Sequence, residues 1–317
     1  MSKEKELSRN LTPYVELLES ELNRYSAKVN VPLFYDPINY VLQIPGKRIR
    51  PLLVMLSAEA LGKEAKDARF AAAAVELLHN FTLVHDDIMD NDEMRRGQLT
   101  VHKKWDLETA ILAGDGLMGL AFLKLLESPG ADIHKMATRF TETMLQICEG
   151  QGLDKMFESG TSASSQDYLG MIARKTAVLL ELSCQLGAMV AGADENRIRL
   201  LGNFGYELGM GFQIQDDWLD ILGEEQSLGK KLGSDLERHK QTILILKLRE
   251  KYPKHDLFSL SLEDFRILLR ESGVAEEVKE RFEKHYDTAF EMLSQLPDSK
   301  ARRLLRELSG FIRARQW

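Results

Sequence analysis

Two short stretches of the chain, HDDIMD and QDDWLD, repeat one spacing of three aspartates. These aspartates are Asp86, Asp87 and Asp90 in the first stretch and Asp216, Asp217 and Asp220 in the second. In a helix, residues four apart lie on one face with Cβ atoms about 6 Å apart, so the first and last aspartates of each motif are neighbours on the same face. Carboxylates held that close repel, which indicates that a cation is normally bound. Oxygen-only ligands favour Mg²⁺, which takes one or two carboxylates together with waters and substrate phosphates.

A single acidic run of this kind is more often a solvated helix end than a site. An aspartate at a helix C-terminus opposes the helix dipole, however, so the placement is costly. Two runs of identical spacing, each after an apolar segment and before basic residues, favour a functional interpretation. Neither run has the glycine that an EF-hand loop requires at its sixth position.

Basic residues near both motifs supply groups that bind anions. They are Lys47, Arg48 and Arg50 in GKRIRP, Arg95 and Arg96 after the first motif, and Lys230, Lys231 and Lys240 after the second. GKRIRP precedes a predicted helix, whose N-terminal N–H groups also favour anions. Arginine suits bidentate phosphate binding and lysine adds a point charge. For Arg48 and Lys231 an ordinary salt bridge is the simpler interpretation.

Helical periodicity covers nearly the whole chain, and strand signals are almost absent. Helices are predicted at 51–62, 68–90, 133–157, 168–191 and 197–222, and the two aspartate motifs end the second and the last of these. A polar loop is predicted at 158–167, and a loop rich in glycine and lysine at 223–235. Because no low-complexity linker divides the chain, we predict one all-α domain of ten or more helices over residues 1–317.

Composition excludes several classes of function. The net charge of −7 argues against nucleic acid as the main partner. The apolar stretch 177–193 is interrupted by polar residues and falls short of the roughly 20 apolar residues of a membrane span. The N-terminal residues lack the apolar run of a secretory signal. Cys148 and Cys184 are predicted to be buried, reduced thiols of a cytoplasmic protein.

The motifs together resemble one family along the whole chain. GKRIRP, HNFTLVHDDIMDNDEMRRG, ARKTAVLLELS, GFQIQDDWLDILG, GKKLGSD and HKQT are similar to motifs of the trans-isoprenyl diphosphate synthases, the polyprenyl synthetase family. The resemblance implies an isoprenoid-synthase helical bundle around a deep central cavity, and a homodimer. It implies a condensation of isopentenyl diphosphate with an allylic prenyl diphosphate that depends on two or three magnesium ions.

The resemblance also implies roles for individual residues. The six aspartates would hold magnesium, with Asp87 supporting Asp86 and Asp90, and with Asp217 and Asp220 in or near the shell of an ion at Asp216. Arg95, Lys175, Lys230 and Lys240 would contact the allylic diphosphate, and Lys47, Arg50, His79 and Arg96 would bind isopentenyl diphosphate. Thr176 and Gln213 would direct oxygen dipoles at the developing carbocation. His85 is interpreted as structural.

The last motif departs from the family pattern at one position. The family usually has Gly-Lys before the threonine of this motif, whereas His239 precedes Lys240 here. Because Lys240 and Thr242 are retained, we expect a local change in the loop rather than a loss of activity.

Product length is predicted from the residues before the first motif. Phe81 lies five residues before Asp86, roughly 7.5 Å away at the rise of a helix. It could be ordinary core packing or a floor that stops the growing chain. With the small Thr82 beside it, the pattern resembles short-chain synthases that make geranylgeranyl diphosphate, C20. Farnesyl diphosphate or a longer polyprenyl diphosphate is the alternative product.

Two other functions fit part of the pattern. A class I terpene cyclase also carries DDxxD, but its second motif normally mixes Asn, Ser or Thr and Glu, unlike DDWLD. The inactive subunit of a heteromeric synthase would be expected to lose its acidic motifs, and this chain keeps both.

Overall fold

The computed structural model describes residues 3–23, 31–129, 132–223 and 232–314. The chain divides into two compact units, each built from three chain segments. Unit 1 comprises residues 1–144, 182–202 and 296–305, and unit 2 comprises residues 145–181, 203–295 and 306–317. A single domain over 1–317 stays a prediction.

Most described residues are helical, which confirms the all-α class. The α-helices are α1 (Lys3–Leu22), α2 (Pro32–Gln43), α3 (Ile49–Ala60), α4 (Arg69–Met89), α5 (Val101–Lys104), α6 (Leu107–Leu126), α7 (Ile133–Glu158), α8 (Ser165–Ile172), α9 (Val178–Val190), α10 (Glu195–Leu222), α11 (Ser234–Glu237), α12 (Ile243–Lys251), α13 (Leu262–Glu271), α14 (Val274–Ser294) and α15 (Lys300–Arg313). Short 3₁₀ helices cover Ala65–Ala68 and Leu257–Ser259, and a π-helical turn covers Ala173–Ala177.

The predicted helices agree with α3, α4, α7 and α10 to within two residues at each end. The helix predicted over 168–191 is divided, because the π-helical turn separates α8 from α9. The predicted loop 158–167 is shorter than expected, since Ser164 and Asp167 form a capping box that starts α8. One feature was not predicted: strands β1 (Met94–Arg95) and β2 (Gln98–Leu99) form an antiparallel hairpin.

The core of unit 1 is centred on α4, which packs against α1, α3 and most extensively α6. The start of α4 is a run of small residues, Ala71–Ala74, that are fully buried. Small side chains let helices approach closely, and Ala113 and Gly114 serve the same purpose on α6. The following leucines, Leu77 and Leu78, are also fully buried, and each stabilises the fold by about 1.5–3 kcal/mol.

Helix α6 is long and apolar enough, by length and composition, to cross a membrane, and just over half of its apolar window is buried within the fold. Among the described helices it is the one that meets this test. Burial of this kind is the property of a core helix. Helix α6 lies outside the apolar stretch 177–193.

In unit 2, α14 packs against α12 and α13, and α8 packs against α12. Tyr286 of α14 is fully buried and donates a hydrogen bond of 2.6 Å to Gln215 Oε1 on α10. This bond satisfies two buried polar groups next to the second aspartate motif. The two cysteines differ: Cys184 is buried, but Cys148 is exposed, so the prediction that both are buried is wrong for Cys148.

Candidate active site

The first aspartate motif lies where α4 ends, and the end is fixed by a Schellman motif. Asn91 has a φ of +52°, a left-handed conformation that asparagine tolerates better than most residues. Its N–H donates to Ile88 O and the Asp92 N–H donates to Asp87 O, at 3.2 and 3.0 Å. The helix therefore stops directly after the last aspartate of the motif.

The three aspartates of this motif are in different environments. Asp86 and Asp90 are half-buried, whereas Asp87 is buried and accepts a hydrogen bond of 2.5 Å from Arg95 Nε. Burial raises the pKa of Asp87 to about 6, with Arg95 opposing the rise and Asp92 and Asp86 adding to it. Asp87 is thus engaged with Arg95, and its predicted support of a metal ion stays a prediction.

The β1–β2 hairpin places two of the predicted phosphate ligands. Its two turn residues, Arg96 and Gly97, both have positive φ, as a type I′ turn requires. Arg95 on β1 reaches back to Asp87, while Arg96 lies against Gly46, where a Cβ atom would be 3.2 Å from the Arg96 guanidinium carbon. Glycine at position 46 therefore lets the Arg96 side chain approach the GKRIRP segment.

Three of the residues predicted to bind isopentenyl diphosphate come together at the start of α3. The Arg50 guanidinium is 3.1 Å from His79 Nε2, and Arg96 donates to Pro45 O at 3.3 Å. Desolvation, together with the nearby Arg50 and Arg96 cations, holds the pKa of His79 well below its usual value. A neutral His79 accepts from Arg50 through Nε2 and carries its proton on Nδ1. Lys47 is exposed beside this group.

Arg48 forms salt bridges, as predicted, although its guanidinium and its partner Glu76 are buried rather than on the surface. Its guanidinium contacts Glu76 at 2.6 Å and Glu19 at 3.1 Å and donates to Leu42 O. The Arg48 backbone has a φ of +50° directly before α3. Because the buried guanidinium has partners for its donors, it ties α3 to α4 rather than presenting charge to a ligand.

Phe81 and Thr82, the predicted determinants of product length, lie one turn before the aspartates on α4. The Phe81 side chain is buried, and its ring packs edge-to-face against His85 with centroids 4.8 Å apart. Thr82 is half-buried and donates to His79 O at 2.8 Å. This position is compatible with either core packing or a floor, so the assignment stays a prediction.

A cavity of about 150 Å³ in unit 2 is lined by aspartates of the second motif and by other predicted site residues. The predicted residues in its wall are Lys175, Thr176, Gln213, Asp216, Asp217 and Lys240, and they are joined by Asp154, Tyr168 and Asp235. Lys230 lies outside the described residues.

The π-helical turn positions Lys175 and Thr176 at this cavity. Lys175 Nζ is 2.5 Å from Asp154 Oδ2, and the Thr176 hydroxyl donates to Gln213 Oε1 at 3.0 Å. Glycines contact both sides of the turn. A Cβ at Gly150 would be 2.8 Å from Lys175 Cα, and one at Gly209 would be 2.6 Å from Ala177 Cα. The turn is therefore held by backbone packing, as π-helical segments at functional sites often are.

The middle aspartate of the second motif is also the buried one. Asp217 accepts hydrogen bonds from the Tyr168 hydroxyl and, at 3.2 Å, from Gln213 Nε2. Burial, with Asp235 and Asp216 nearby, raises the pKa of Asp217 well above its usual range. Asp216 is exposed. Asp216 is thus the more exposed of these two carboxylates, and its role as a magnesium ligand stays a prediction.

Asp220 holds the chain that follows the second motif. Its carboxylate accepts from the Ser234 hydroxyl at 2.9 Å and from the Asp235 N–H at 3.0 Å, and its carbonyl accepts from the Gly233 N–H. These bonds anchor the first turn of α11. The structure gives Asp220 this positioning contact, and its predicted place in or near a magnesium shell stays a prediction.

Three ionisable residues of the cavity were missed from the sequence: Asp154, Tyr168 and Asp235. Asp235 lies 3.9 Å from Lys240, and burial raises its pKa to about 6 with Lys240 opposing the rise. The available signal was that Asp235 is the last residue of GKKLGSD, five residues before Lys240. Asp154 and Tyr168 stand alone in helical segments with no recognisable spacing, so nothing in the sequence identified them.

His239 occupies a left-handed position, with a φ of +55°, and its ring stacks on Phe258 at 4.6 Å. The glycine usual in the family suits this conformation without strain. Histidine is strained at this φ, and the stacked ring compensates in part for that strain.

The carboxylates fit magnesium in their chemistry. Within the part of the chain that the structure describes, no three His, Cys, Asp or Glu side chains converge as a ready-made metal site. Each candidate site instead offers one or two carboxylates: Asp86 and Asp90 at the end of α4, and Asp216 on α10. Magnesium takes one or two carboxylates and completes its shell with waters and phosphate oxygens, so this donor set fits it.

Comparison with known proteins identifies the family. The family model described as polyprenyl synthetase matches residues 31–265. The chain is 38% identical over 286 residues to the geranylgeranyl pyrophosphate synthase of Geoglobus acetivorans, covering 88% of this chain and 89% of that protein. It is 44% identical over 225 residues to the geranylgeranyl diphosphate synthase of Sulfolobus acidocaldarius, covering 70% and 68%.

Among solved structures, the fold is similar to the geranylgeranyl pyrophosphate synthetase from Pyrococcus horikoshii. The TM-score is 0.93 at 32% identity, and the match covers 99% of this chain and 100% of that one. The helical fold, the sequence motifs and the family match agree along the chain. On this evidence the chain is a prenyltransferase that belongs to the polyprenyl synthetase family.

Proposed function

We propose that the protein catalyses the magnesium-dependent, head-to-tail (1′–4) condensation of isopentenyl diphosphate with an allylic prenyl diphosphate, with geranylgeranyl diphosphate as the product. The observation that carries the proposal is the cavity of unit 2, which brings Lys175, Lys240 and Asp216 together. Cations for a diphosphate and a carboxylate for a metal ion in one cavity are what ionisation of an allylic diphosphate requires.

In the proposed reaction, Asp86 and Asp90 of unit 1 and Asp216 of unit 2 would hold magnesium. When bound there, magnesium would supply positive charge that stabilises the departing diphosphate. Lys175 and Lys240 add fixed charge. Asp154 and Asp235 keep these lysines in place, and an arriving diphosphate competes for them as the stronger multivalent anion.

After the C–O bond breaks, an allylic carbocation must be protected from water. The Thr176 hydroxyl and Gln213 carbonyl present oxygen dipoles at the cavity wall, and their mutual hydrogen bond of 3.0 Å keeps them in fixed orientations. The double bond of isopentenyl diphosphate then attacks the cation, and loss of a proton forms the new trans double bond. The departing diphosphate serves as the base.

Isopentenyl diphosphate binds, in this proposal, to Lys47, Arg50, His79 and Arg96 in unit 1. The neutral His79 orients the Arg50 guanidinium without adding a charge of its own. Arg50 and Arg96 then present planar donors that suit a diphosphate bidentately.

The assay that tests the proposal incubates the purified chain with radiolabelled isopentenyl diphosphate, magnesium and a C5, C10 or C15 primer, followed by chromatographic sizing of the products. We expect elongation with each primer, ending at C20, and no product when magnesium is chelated. Consumption of a prenyl diphosphate without isopentenyl diphosphate would indicate a cyclase instead. No turnover by the chain alone would indicate an inactive subunit.

Matched variants test the metal ligands. Asp86→Asn should abolish turnover. Asp106→Asn should not affect it, because Asp106 caps α6 by accepting from the Thr109 N–H and asparagine caps helices equally well. Equal activity of the two variants would remove Asp86 from the site.

Phe81 sets the product length in this proposal, as a floor below the growing chain. Phe81→Ala should therefore lengthen the products, with C25 and longer chains appearing in the same assay. An unchanged product ladder would show that Phe81 is ordinary core packing and that another residue ends elongation.

We further propose that the protein is a homodimer that acts in the cytoplasm. Ile111, Leu112, Leu123 and Leu126 of α6 are all more than 40% exposed, although α6 is a core helix of unit 1. Exposed apolar residues grouped along one helix indicate a protein partner, and the symmetric solution is a second copy of this chain. Sedimentation should show a dimer that Leu123→Glu weakens and that Leu33→Glu on α2 does not. Cys148 and Cys184 are thiols rather than members of a disulfide, which agrees with a reducing compartment.

A further inference from the structure

His85 lies on α4 between Phe81, the predicted floor, and Asp86, the first aspartate of its motif. The environment of its imidazole ring is unusual. Its Nε2 atom is buried without a hydrogen-bond partner among the described residues, and the nearest charge is the Asp115 carboxylate, 4.0 Å away. A buried polar atom without a partner costs free energy, so packing must hold this ring in place.

Gly114 on α6 provides that packing. A Cβ atom at position 114 would lie 3.2 Å from His85 Cε1 and would overlap its Nε2 and Cδ2 atoms. The ring therefore fills a notch that exists because residue 114 has no side chain. No other residue type leaves this notch open.

The His85 ring also contacts Phe81. The two residues are four apart on α4, so they share one face of the helix. Their centroids are 4.8 Å apart at an interplanar angle of 62°, an edge-to-face pair. Such a pair favours one orientation of the phenyl ring over others by roughly two- to tenfold.

We propose that Gly114 and His85 are specificity determinants of the prenyl condensation, in which the notch at Gly114 seats the His85 ring and the ring holds Phe81 in the orientation that stops chain growth. This inference rests on the proposed function and on Phe81 as its floor. His85 acts through Phe81, so it is a positioning residue rather than a catalytic one.

The inference predicts how three variants behave. In His85→Ala, Phe81 loses its edge-to-face partner and can turn aside, so the fraction of products longer than C20 should rise several-fold. In Gly114→Ala, the new methyl group displaces the His85 ring from its seat, and the same lengthening should follow. In the double variant, the methyl group added at position 114 occupies space that the missing imidazole has left, so its products should match those of His85→Ala alone rather than lengthening further.

The experiment measures product distributions for wild type and the three variants at equal total turnover. Normalising to turnover separates a change in length from a loss of rate, which a merely structural role for residues beside Asp86 would cause. Gly310→Ala is the control, because a Cβ at Gly310 on α15 meets nothing within 4 Å, and it should give the wild-type ladder.

Two results would overturn the inference. One is an unchanged product ladder in both single variants that remain active. The other is additive lengthening in the double variant, which would show that Gly114 and His85 act separately. Absence of any elongation by the wild-type chain would instead refute the proposed function, and the two failures are thus distinguishable.

Discussion

The contact between Gly150 and the π-helical turn allows a direct test of whether backbone packing positions Lys175. Gly150 lies on α7 and faces the backbone of the segment that carries Lys175 and Thr176. We predict that Gly150→Ala disables the enzyme while leaving it folded. Gly152→Ala, two residues away on the same helix, should have no such effect.

The size of the displacement follows from the structure. A Cβ at Gly150 would lie 2.8 Å from Lys175 Cα and 2.9 Å from the Arg174 carbonyl carbon, and closer still to the Lys175 amide nitrogen. Ordinary contact begins at 3.4 Å, so Lys175 must move by about 0.6 Å at Cα and more at its nitrogen. These neighbours are backbone atoms, which cannot swing away as a flexible side chain does.

The free energy of unfolding changes through two opposing effects. Alanine is favoured over glycine inside a helix by about 0.5–1 kcal/mol. Overpacking of a tight contact costs about 1–3 kcal/mol. A Cβ at Gly152 would meet nothing within 4 Å, so Gly152→Ala should show only the gain in helix propensity. Gly150→Ala should be the less stable of the two by about 1–3 kcal/mol, measured by urea denaturation.

Activity should respond more strongly than stability. A misplacement approaching 1 Å of a group that orients substrate can lower the rate about 100-fold. We therefore expect kcat for prenyl transfer to fall by about that factor in Gly150→Ala and to stay near wild type in Gly152→Ala. If both variants showed the same kcat, the argument that backbone packing positions Lys175 would be wrong.

Three further predictions concern single contacts. Asp154→Asn should lower kcat/KM for the allylic substrate about tenfold or more, since it removes the charged partner 2.5 Å from Lys175; an unchanged kcat/KM would contradict this. His239→Gly should be more stable than His239→Ala by about 1 kcal/mol in thermal or urea unfolding, because both lose the ring stacked on Phe258 but only alanine keeps the strain of a positive φ. His79, whose pKa is depressed, is neutral in the fold and protonated in the unfolded chain below about pH 6.5. Stability should therefore decrease as pH falls from about 6.5 toward the folded pKa, and urea titrations across pH 5–8 should show a smaller decrease in His79→Gln.

The long helices could be predicted because their sequences carry strong and consistent signals. Helix α4 is rich in alanine and leucine and contains no helix breaker, and it is followed by Asn91, a residue suited to the left-handed conformation found there. The β1–β2 hairpin could not be found in this way. Its strands have two residues each and are largely exposed, so they show no alternation of apolar and polar residues, and the Arg96-Gly97 turn is weaker than the usual Asn-Gly signal.

The π-helical turn was hidden for a related reason. An α-helix that widens for a single turn keeps almost the same apolar periodicity on either side, so the segment around Lys175 was predicted as one continuous helix. Gly150 could not be recognised from the sequence either, because an isolated glycine within a helical pattern is ordinarily a tolerated residue that only weakens the helix. Its purpose is visible only when the partner backbone is known, and sequence spacing contains no information about partners far along the chain.

Helical geometry alone could have separated the aspartates of each motif into two groups, the outer pair and the second residue. Each residue of an α-helix is rotated about 100° from the one before it, so the first and fifth positions nearly coincide while the second points elsewhere. In both motifs the second aspartate is the buried one: Asp87 accepts from Arg95, and Asp217 accepts from Tyr168 and Gln213. This rotation separates the second aspartate of each motif from the outer pair, while the magnesium role of all six aspartates stays a prediction. Asp220, an outer position, also has protein partners, because the Ser234 hydroxyl and the Asp235 N–H donate to its carboxylate.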